Sequence, residues 1–390
     1  MSKIDDLIGN ADVFPVLAKR DYFNHAGASP MPRPVGDAVR AFLTQFEHDG
    51  FVGFDFFKPI ATLKQTAASM INAGEDEVAI VTNTGEAISM VALGLNLKPG
   101  DRVVINEAEY PANVYPWQEA CARVGAELVT VPETVTDDGG SIVREDDLIA
   151  ACEDPNTKVL AVSHVQWGSG QRMDLEKLGS ACRERGILFS VDVIQSMGVM
   201  PIDVEAAKID FLQAGGHKWM LGTMGAGVFY VRRGVLETLR PAIVGAMSVV
   251  DPLKWERIDY TLQPDARRFE FGTPAMASII AVGTGLSLLA ECGIDAVADR
   301  VLDLGDRFAA GVTGMGCTLA VSREDRAACG GAVCFAPAAG EEASKALYEA
   351  LSKEDGIELA SRCGRVRFAP HFYNTEAQVD RLLERIEARL

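Results

Sequence analysis

From about residue 75 to residue 235, short apolar runs rich in β-branched residues alternate with longer segments of helical spacing. The apolar runs predict strands at Val78–Thr82, Arg102–Asn106, Glu127–Val131, Val159–Ser163, Leu188–Asp192, Phe211–Ala214 and Gly227–Val231. The intervening segments predict helices at Glu86–Leu95, Trp117–Val124, Asp174–Arg185 and Val204–Ala207. Strands that alternate with helices imply βαβ units and a mainly parallel sheet covered on both faces. Ligands of such sheets bind beyond the carboxyl ends of the strands, where loops lead into helices.

After Pro264 the pattern changes. Met276–Cys292 reads as a long apolar helix and Ile294–Val312 as a second one. From about residue 315 to 390 the order is strand, helix, strand, helix, with strands at Gly331–Phe335 and Val366–Phe368. The expected organisation is an N-terminal segment over 1–20 that packs on the smaller unit, a large α/β domain over 21–264 and a smaller α+β domain over 265–390. The irregular run Tyr22-Phe-Asn-His-Ala-Gly-Ala-Ser-Pro30 fits an ordered crossing segment.

Composition narrows the setting. The chain has 390 residues, 48% hydrophobic and 24% charged, which is the balance of a globular protein with more than one core. A net charge of −18 argues against nucleic acid or an anionic membrane as main partner. The first twenty residues lack a signal-peptide pattern, and no apolar run approaches the ~20 residues of a membrane helix. Eight dispersed cysteines, without zinc spacing, read as reduced thiols and a cytoplasmic protein, with no metal site expected.

Four segments carry candidate chemistry. In Gly215-Gly-His-Lys-Trp-Met-Leu-Gly222 a lysine follows an apolar strand between glycines. A buried amine there loses its charge easily and becomes a nucleophile for aldehydes. In Leu188-Phe-Ser-Val-Asp-Val-Ile-Gln195 an acid closes an apolar strand, where a protonated pyridine nitrogen is a fitting partner. In Ala79-Ile-Val-Thr-Asn-Thr-Gly-Glu-Ala-Ile88 a strand turns into a helix start, whose free N–H groups suit a phosphate. In Asn106-Glu-Ala-Glu-Tyr-Pro-Ala-Asn113 the tyrosine can stack on a planar ring.

These segments, in this order, resemble the class V aminotransferase family of fold-type I pyridoxal-phosphate enzymes, which includes cysteine desulfurases, selenocysteine lyases and isopenicillin-epimerase-like proteins. The resemblance also rests on Phe269-Glu-Phe-Gly-Thr273 and Tyr373-Asn-Thr-Glu-Ala-Gln-Val-Asp-Arg-Leu382. It implies a PLP-dependent transferase-like fold with a seven-stranded, mainly parallel sheet and pyridoxal 5'-phosphate as cofactor. It makes Lys218 the Schiff-base lysine and the proton carrier at the substrate carbon. Asp192 is then the partner of the pyridine nitrogen and Gln195 that of the phenolic oxygen. Thr84, Gly85 and His217 are expected at the phosphate, and Tyr110 on the ring. Thr273 matches a residue that reaches the neighbouring subunit's phosphate, which implies a homodimer. Arg367 matches the arginine that holds the substrate carboxylate, with Arg362 and Arg365 as alternatives, and Gln166 and Asn24 are expected on the substrate side.

Departures from the family pattern bear on the reaction. The stretch from Ile357 to Phe368 leaves no room for the mobile sulfur-carrying loop of a cysteine desulfurase, so Cys363 reads as a structural thiol. Gly215 stands where desulfurases often carry a phosphate-binding serine. Ser163-His-Val-Gln-Trp-Gly-Ser-Gly170 is similar to the epimerase-like branch. The expected activity is amino-acid chemistry of the aminotransferase type, with C–S or other β-lyase or epimerase activity as alternatives. A catalytically idle binding protein on the same fold is the alternative of another class. A nicotinamide dehydrogenase is excluded, because no Gly-x-Gly-x-x-Gly turn follows a first strand.

Overall fold

The computed structural model describes residues 3–137, 139–254, 256 and 258–390. The helices, in chain order, are α1 (Arg33–Asp49), α2 (Phe57–Met70), α3 (Thr84–Gly94), α4 (Tyr115–Val124), α5 (Glu145–Ala151), α6 (Leu175–Arg185), α7 (Met276–Cys292), α8 (Ile294–Gly314), α9 (Glu341–Lys353) and α10 (Glu376–Glu387). The strands are β1 (Val78–Val81), β2 (Arg102–Asn106), β3 (Glu127–Val131), β4 (Thr134–Val135), β5 (Ser141–Ile142), β6 (Thr157–Ser163), β7 (Leu188–Asp192), β8 (Phe211–Gly215), β9 (Gly227–Val231), β10 (Thr318–Leu319), β11 (Val333–Ala336), β12 (Ala360–Arg362) and β13 (Arg365–Phe368).

Seven strands form one sheet in the order β1-β9-β8-β7-β6-β2-β3. The pairs from β8 through β7, β6 and β2 to β3 are parallel, and only β9 runs against its neighbours β1 and β8. The apolar strands fill both faces, as a sheet covered by helices requires. On one face Val191, Leu212 and Ala214 pack with Leu63 of α2, Leu178 of α6 and Ile279, Val282 and Leu286 of α7. On the other, Phe211, Phe229 and Val103 pack with Ile88 and Val91 of α3 and Trp117 of α4. Thus α7, which a boundary at 265 assigns to the smaller unit, buries its side chains in the core of the large sheet.

The second sheet is antiparallel, in the order β10-β11-β13-β12. Phe308 of α8 stacks on Phe368, and Val379 and Leu382 of α10 close the same core. The N-terminal segment inserts Ile4, Leu7 and Phe14 beside Leu289, Val297 and Tyr373, and Phe14 stacks on the Tyr373 ring at 3.8 Å. Met1 and Ser2 of that segment lie outside the described residues. Tyr22 and Asn24 form bridges with Glu358 and Ala369, and Ser29 N–H donates to His217 O, so the 22–30 run spans from the small sheet to the lysine loop.

Three differences from the sequence reading have local causes. Val204–Ala207 is not a helix. Asp203 Oδ1 accepts from the N–H groups of Glu205 and Ala206, and Ile209 N–H returns to Val204 O, which closes a single turn before Lys208 at φ 52°. The strand expected from Gly331 starts at Val333, because a Cβ at Gly331 would stand 2.9 Å from the Trp219 ring. Helices α1 and α2 had no counterpart in the sequence reading; they pack on α7 and leave Leu43, Phe46 and Phe57 about half exposed.

The 203–208 turn sits tightly on α6. A Cβ at Gly179 would lie 1.8 Å from Ala207 O and 3.3 Å from Phe189 Cδ1. Gly179→Ala is therefore expected to destabilise the fold by about 2 kcal/mol or more, despite alanine's better helix propensity. A denaturation midpoint equal to or above the parent's would contradict this packing.

Candidate active site

The carboxyl ends of β1, β2, β6, β7 and β8 open on one edge of the large sheet, and most of the residues singled out above gather there. Because β7 and β8 are parallel neighbours with Asp192 opposite Gln213, the acid ending one strand and the lysine in the loop after the next come to the same edge. Asp192 is buried, with 2% of its surface exposed. Its Oδ1 accepts from Ile194 N–H at 2.8 Å, and among the described residues it has no ion-pair partner. Burial raises its pKa; the charge of Glu109 adds to that, whereas Ile194 N–H and Lys218 oppose it.

Lys218 is largely buried, and its side-chain amine makes no hydrogen bond or ion pair among the described residues. Its Nζ lies 5.8 Å from the centroid of the Tyr110 ring. Desolvation lowers its pKa, Arg367 and Arg362 push the same way, and Asp192 pulls upward. A lysine so placed holds a neutral amine more readily than an exposed one. Lys64, the other buried lysine, differs: its Nζ pairs with Glu270 at 3.3 Å.

At the start of α3, Asn83 caps the helix through Glu86 N–H at 2.9 Å. The N–H groups of Thr84 and Gly85 find no acceptor among the described residues, as expected of a first turn. Thr84 Oγ1 accepts from Gly215 N–H at 2.9 Å and so ties the helix start to the lysine loop. His217 lies against the same place: a Cβ at Gly215 would meet its ring and Thr84 Oγ1 at 3.3 Å. Burial and the nearby Lys218 lower the pKa of His217.

Gln195 is committed at both ends of its amide. Nε2 donates to Ala26 O at 3.0 Å, and Oε1 accepts from Trp219 Nε1 at 2.9 Å, which leaves one N–H for a ligand. Tyr110 is 46% exposed and meets Trp167 edge to face at 5.3 Å. On the small sheet, Arg367 is buried, donates to Trp167 O at 2.9 Å and keeps a buried Nε without a partner. Arg362 is exposed and Arg365 partly so, which separates them from Arg367. Asn24 donates to Glu358 at 3.2 Å and leaves Oδ1 buried and unpartnered. Thr273 is exposed.

Three further residues escaped the sequence reading. Glu109 is buried in a web of donors that includes Gln166. Trp219 holds Gln195, and His371 Nε2 lies 3.1 Å from Trp219 O. Because His371 Nδ1 accepts from Phe372 N–H, its Nε2 must carry the proton that is donated to Trp219 O. A tryptophan beside the lysine could have suggested the second of these; nothing in the spacing announces Glu109 or His371.

The cluster fits pyridoxal phosphate. Asp192 is a buried carboxylate without a cation, Lys218 a partially neutralised amine without a partner, and the α3 start offers two free N–H groups beside Thr84 and His217. Cys363, by contrast, occupies the two-residue turn between β12 and β13 at φ 50°, next to Gly364 at φ 70°. A Cβ on Gly168 would stand 2.9 Å from its sulfur, so the thiol is packed against the Trp167–Gly168 loop.

The chain is similar to known proteins along most of its length. The aminotransferase class-V family profile matches residues 21–382. A probable cysteine desulfurase of Pyrococcus abyssi is 32% identical over 290 residues, covering 73% of this chain and 70% of that protein. An uncharacterized aminotransferase of Bacillus subtilis is 26% identical over 377 residues, covering 97% and 96%. Among solved structures, an apo cysteine desulfurase of Thermococcus onnurineus superposes with a TM-score of 0.85 at 25% identity, over 98% of this chain and 97% of that one. The chain belongs to the class V aminotransferase family and is a pyridoxal-phosphate-dependent enzyme of fold type I.

Proposed function

We propose that the chain acts on an amino acid through Lys218 and releases a substituent from the β-carbon, as a C–S or related β-lyase. Pyridoxal phosphate, when bound, would supply an electron sink for the α-carbon of an amino acid. The roles of the chain's own residues follow from their positions. Lys218 binds the cofactor covalently and, once displaced by the substrate, takes the α-proton on Nζ. Asp192 keeps a proton on the ring nitrogen, and Gln195 directs its remaining N–H to the phenolic oxygen. Thr84, Gly85 and His217 hold the phosphate, and Tyr110 covers the ring. Arg367 forks the α-carboxylate, a geometry suited to a planar guanidinium. Gln166 and Asn24 line the substrate side.

The single observation behind the lyase reading is the pinned Cys363. Relatives named for taking sulfur from cysteine match this chain well, yet its only exposed cysteine sits in a two-residue turn against Gly168. Such a thiol has no arm to accept sulfur, so sulfur leaves with the substrate's own fragment. Transamination is the second reading, favoured by the near full-length match to a protein named as an aminotransferase.

The proposal extends to assembly and setting. Thr273 is exposed, and Met224, Ile258 and Tyr260 are 71%, 93% and 63% exposed, which supports a homodimer in which Thr273 completes the partner's phosphate site. The eight cysteines are unpaired and seven are buried, which supports a reducing, cytoplasmic compartment. Among the described residues no single helix is long and apolar enough to cross a membrane.

The test is a substrate panel with the cofactor-loaded protein. Pyruvate and ammonia from a single β-substituted amino acid, without any keto acid, are expected. Amino transfer that requires a keto acid would replace the lyase reading by the second one. A cofactor band that no amino acid perturbs would mark an idle binding protein and sink both.

A further inference from the structure

Glu109 stands beside Tyr110 in the Asn106–Asn113 segment without a role so far, yet it is among the most heavily bonded side chains of the site edge. Only 6% of its surface is exposed. Oε1 accepts from Asn106 Nδ2 at 2.6 Å, Ser163 N–H at 2.7 Å and Gln166 Nε2 at 3.1 Å. Oε2 accepts from Asn113 Nδ2 at 2.9 Å and Ser163 Oγ at 2.5 Å. Every contact is a donation to Glu109, which is the arrangement of a carboxylate anion. Among the described residues no basic side chain forms an ion pair with it.

Its neighbours place that charge. Asn106 ends β2, Ser163 ends β6, and Ser163 lies directly opposite Asp192 in the β6–β7 register. Tyr110 follows Glu109 in the chain, and Asn113 is held in turn by Trp117 Nε1 at 3.1 Å. Gln166 has only one way to face such a carboxylate. Its amide nitrogen must point to Glu109, so Oε1 points away, and that oxygen is buried without a partner.

We propose that Glu109 is a positioning residue of this active site: it sets a second negative charge behind Asp192 and locks the Gln166 amide so that its oxygen receives an N–H donor. The donor that fits is the substrate's amino group, so this part rests on the reading of the chain as an amino-acid enzyme. The charges facing Asp192 are those of Glu109 and Lys218, and those facing Lys218 are Asp192, Arg367 and Arg362. An anion beside a site that holds a cationic cofactor favours its protonated form, so its removal lowers the pH at which that form is lost.

The experiment titrates the visible absorbance band of the cofactor-loaded protein. Glu109→Gln is expected to lower the midpoint by about one pH unit. Ser163→Ala, which removes one donor to Glu109 and keeps the charge, is expected to leave the midpoint unchanged although both variants melt at lower temperature. Equal shifts in the two variants, or no shift in a folded Glu109→Gln protein that binds cofactor, would overturn the electrostatic role. Should Glu109→Gln fail to fold, Glu109→Asp supplies the measurement: the charge remains, and a midpoint lowered as far as one unit would count against it. The orienting role is read separately from Gln166→Leu, where the spectral dissociation constant for a reacting amino acid is expected to rise about tenfold. An unchanged constant would overturn it, whereas loss of response to every amino acid in the parent protein would sink the underlying reading instead.

Discussion

Lys218→Ala lowers turnover by about a thousandfold or more and removes the covalent attachment of the cofactor. A positioned general base contributes about 10² to 10⁴ in rate, and in the proposed function the same side chain is also the point of attachment. The fold should survive the change. The Lys218 amine forms no hydrogen bond or ion pair among the described residues, so truncation leaves no hydrogen-bond partner stranded in the core. Its removal also relieves a buried amine that burial already drives toward neutrality. Added methylamine, small enough to occupy the vacated space, should restore part of the rate and not the attachment. A variant with parental turnover would remove Lys218 from the chemistry, and a variant that fails to melt cooperatively would show that the lysine is structural.

Arg367→Lys lowers kcat/KM by about a hundredfold, mostly through KM. A forked guanidinium gives two charge-assisted hydrogen bonds to a carboxylate, and a lysine at the same place gives a single point charge. Arg367 is the right arginine of the three because of where the β12–β13 hairpin holds it. It pairs with Ala360 in register and is buried, with an unpartnered Nε, while Arg362 and Arg365 pair with each other at the turn end of the hairpin. Arg365→Gln should therefore change kcat/KM by less than about threefold. If Arg365→Gln and Arg367→Lys weakened the substrate equally, the carboxylate would be held by the hairpin's general positive charge and not by a fork.

How far the sequence reveals this site depends on how local each signal is. Asp192 and Lys218 are legible because one closes an apolar strand and the other sits in the loop after the next, and the two strands are neighbours in the sheet. The small polar turn before α3 is legible for the same reason, since Asn83 caps the helix within three residues. Glu109 is not. Its donors Ser163 and Gln166 lie 54 and 57 positions away and come together only when β2 and β6 pair. Within its own segment the tyrosine draws the eye and the acid is given no role. The α1 and α2 helices escape because exposed Leu43, Phe46, Phe51 and Phe57 blur the apolar stripe that marks a helix against a core. Val204–Ala207 fails in the opposite sense. Its apolar residues have helical composition, but Asp203 takes the first N–H groups and the chain turns back at once.

Borohydride reduction of the cofactor-loaded protein, followed by peptide mass mapping, addresses the lysine assignment most directly. Reduction should fix the cofactor to the peptide that carries Lys218 and to no other. A label on Lys64, the one other lysine buried in this fold, or no fixed label at all, would contradict the assignment of Lys218 as the point where the cofactor is held.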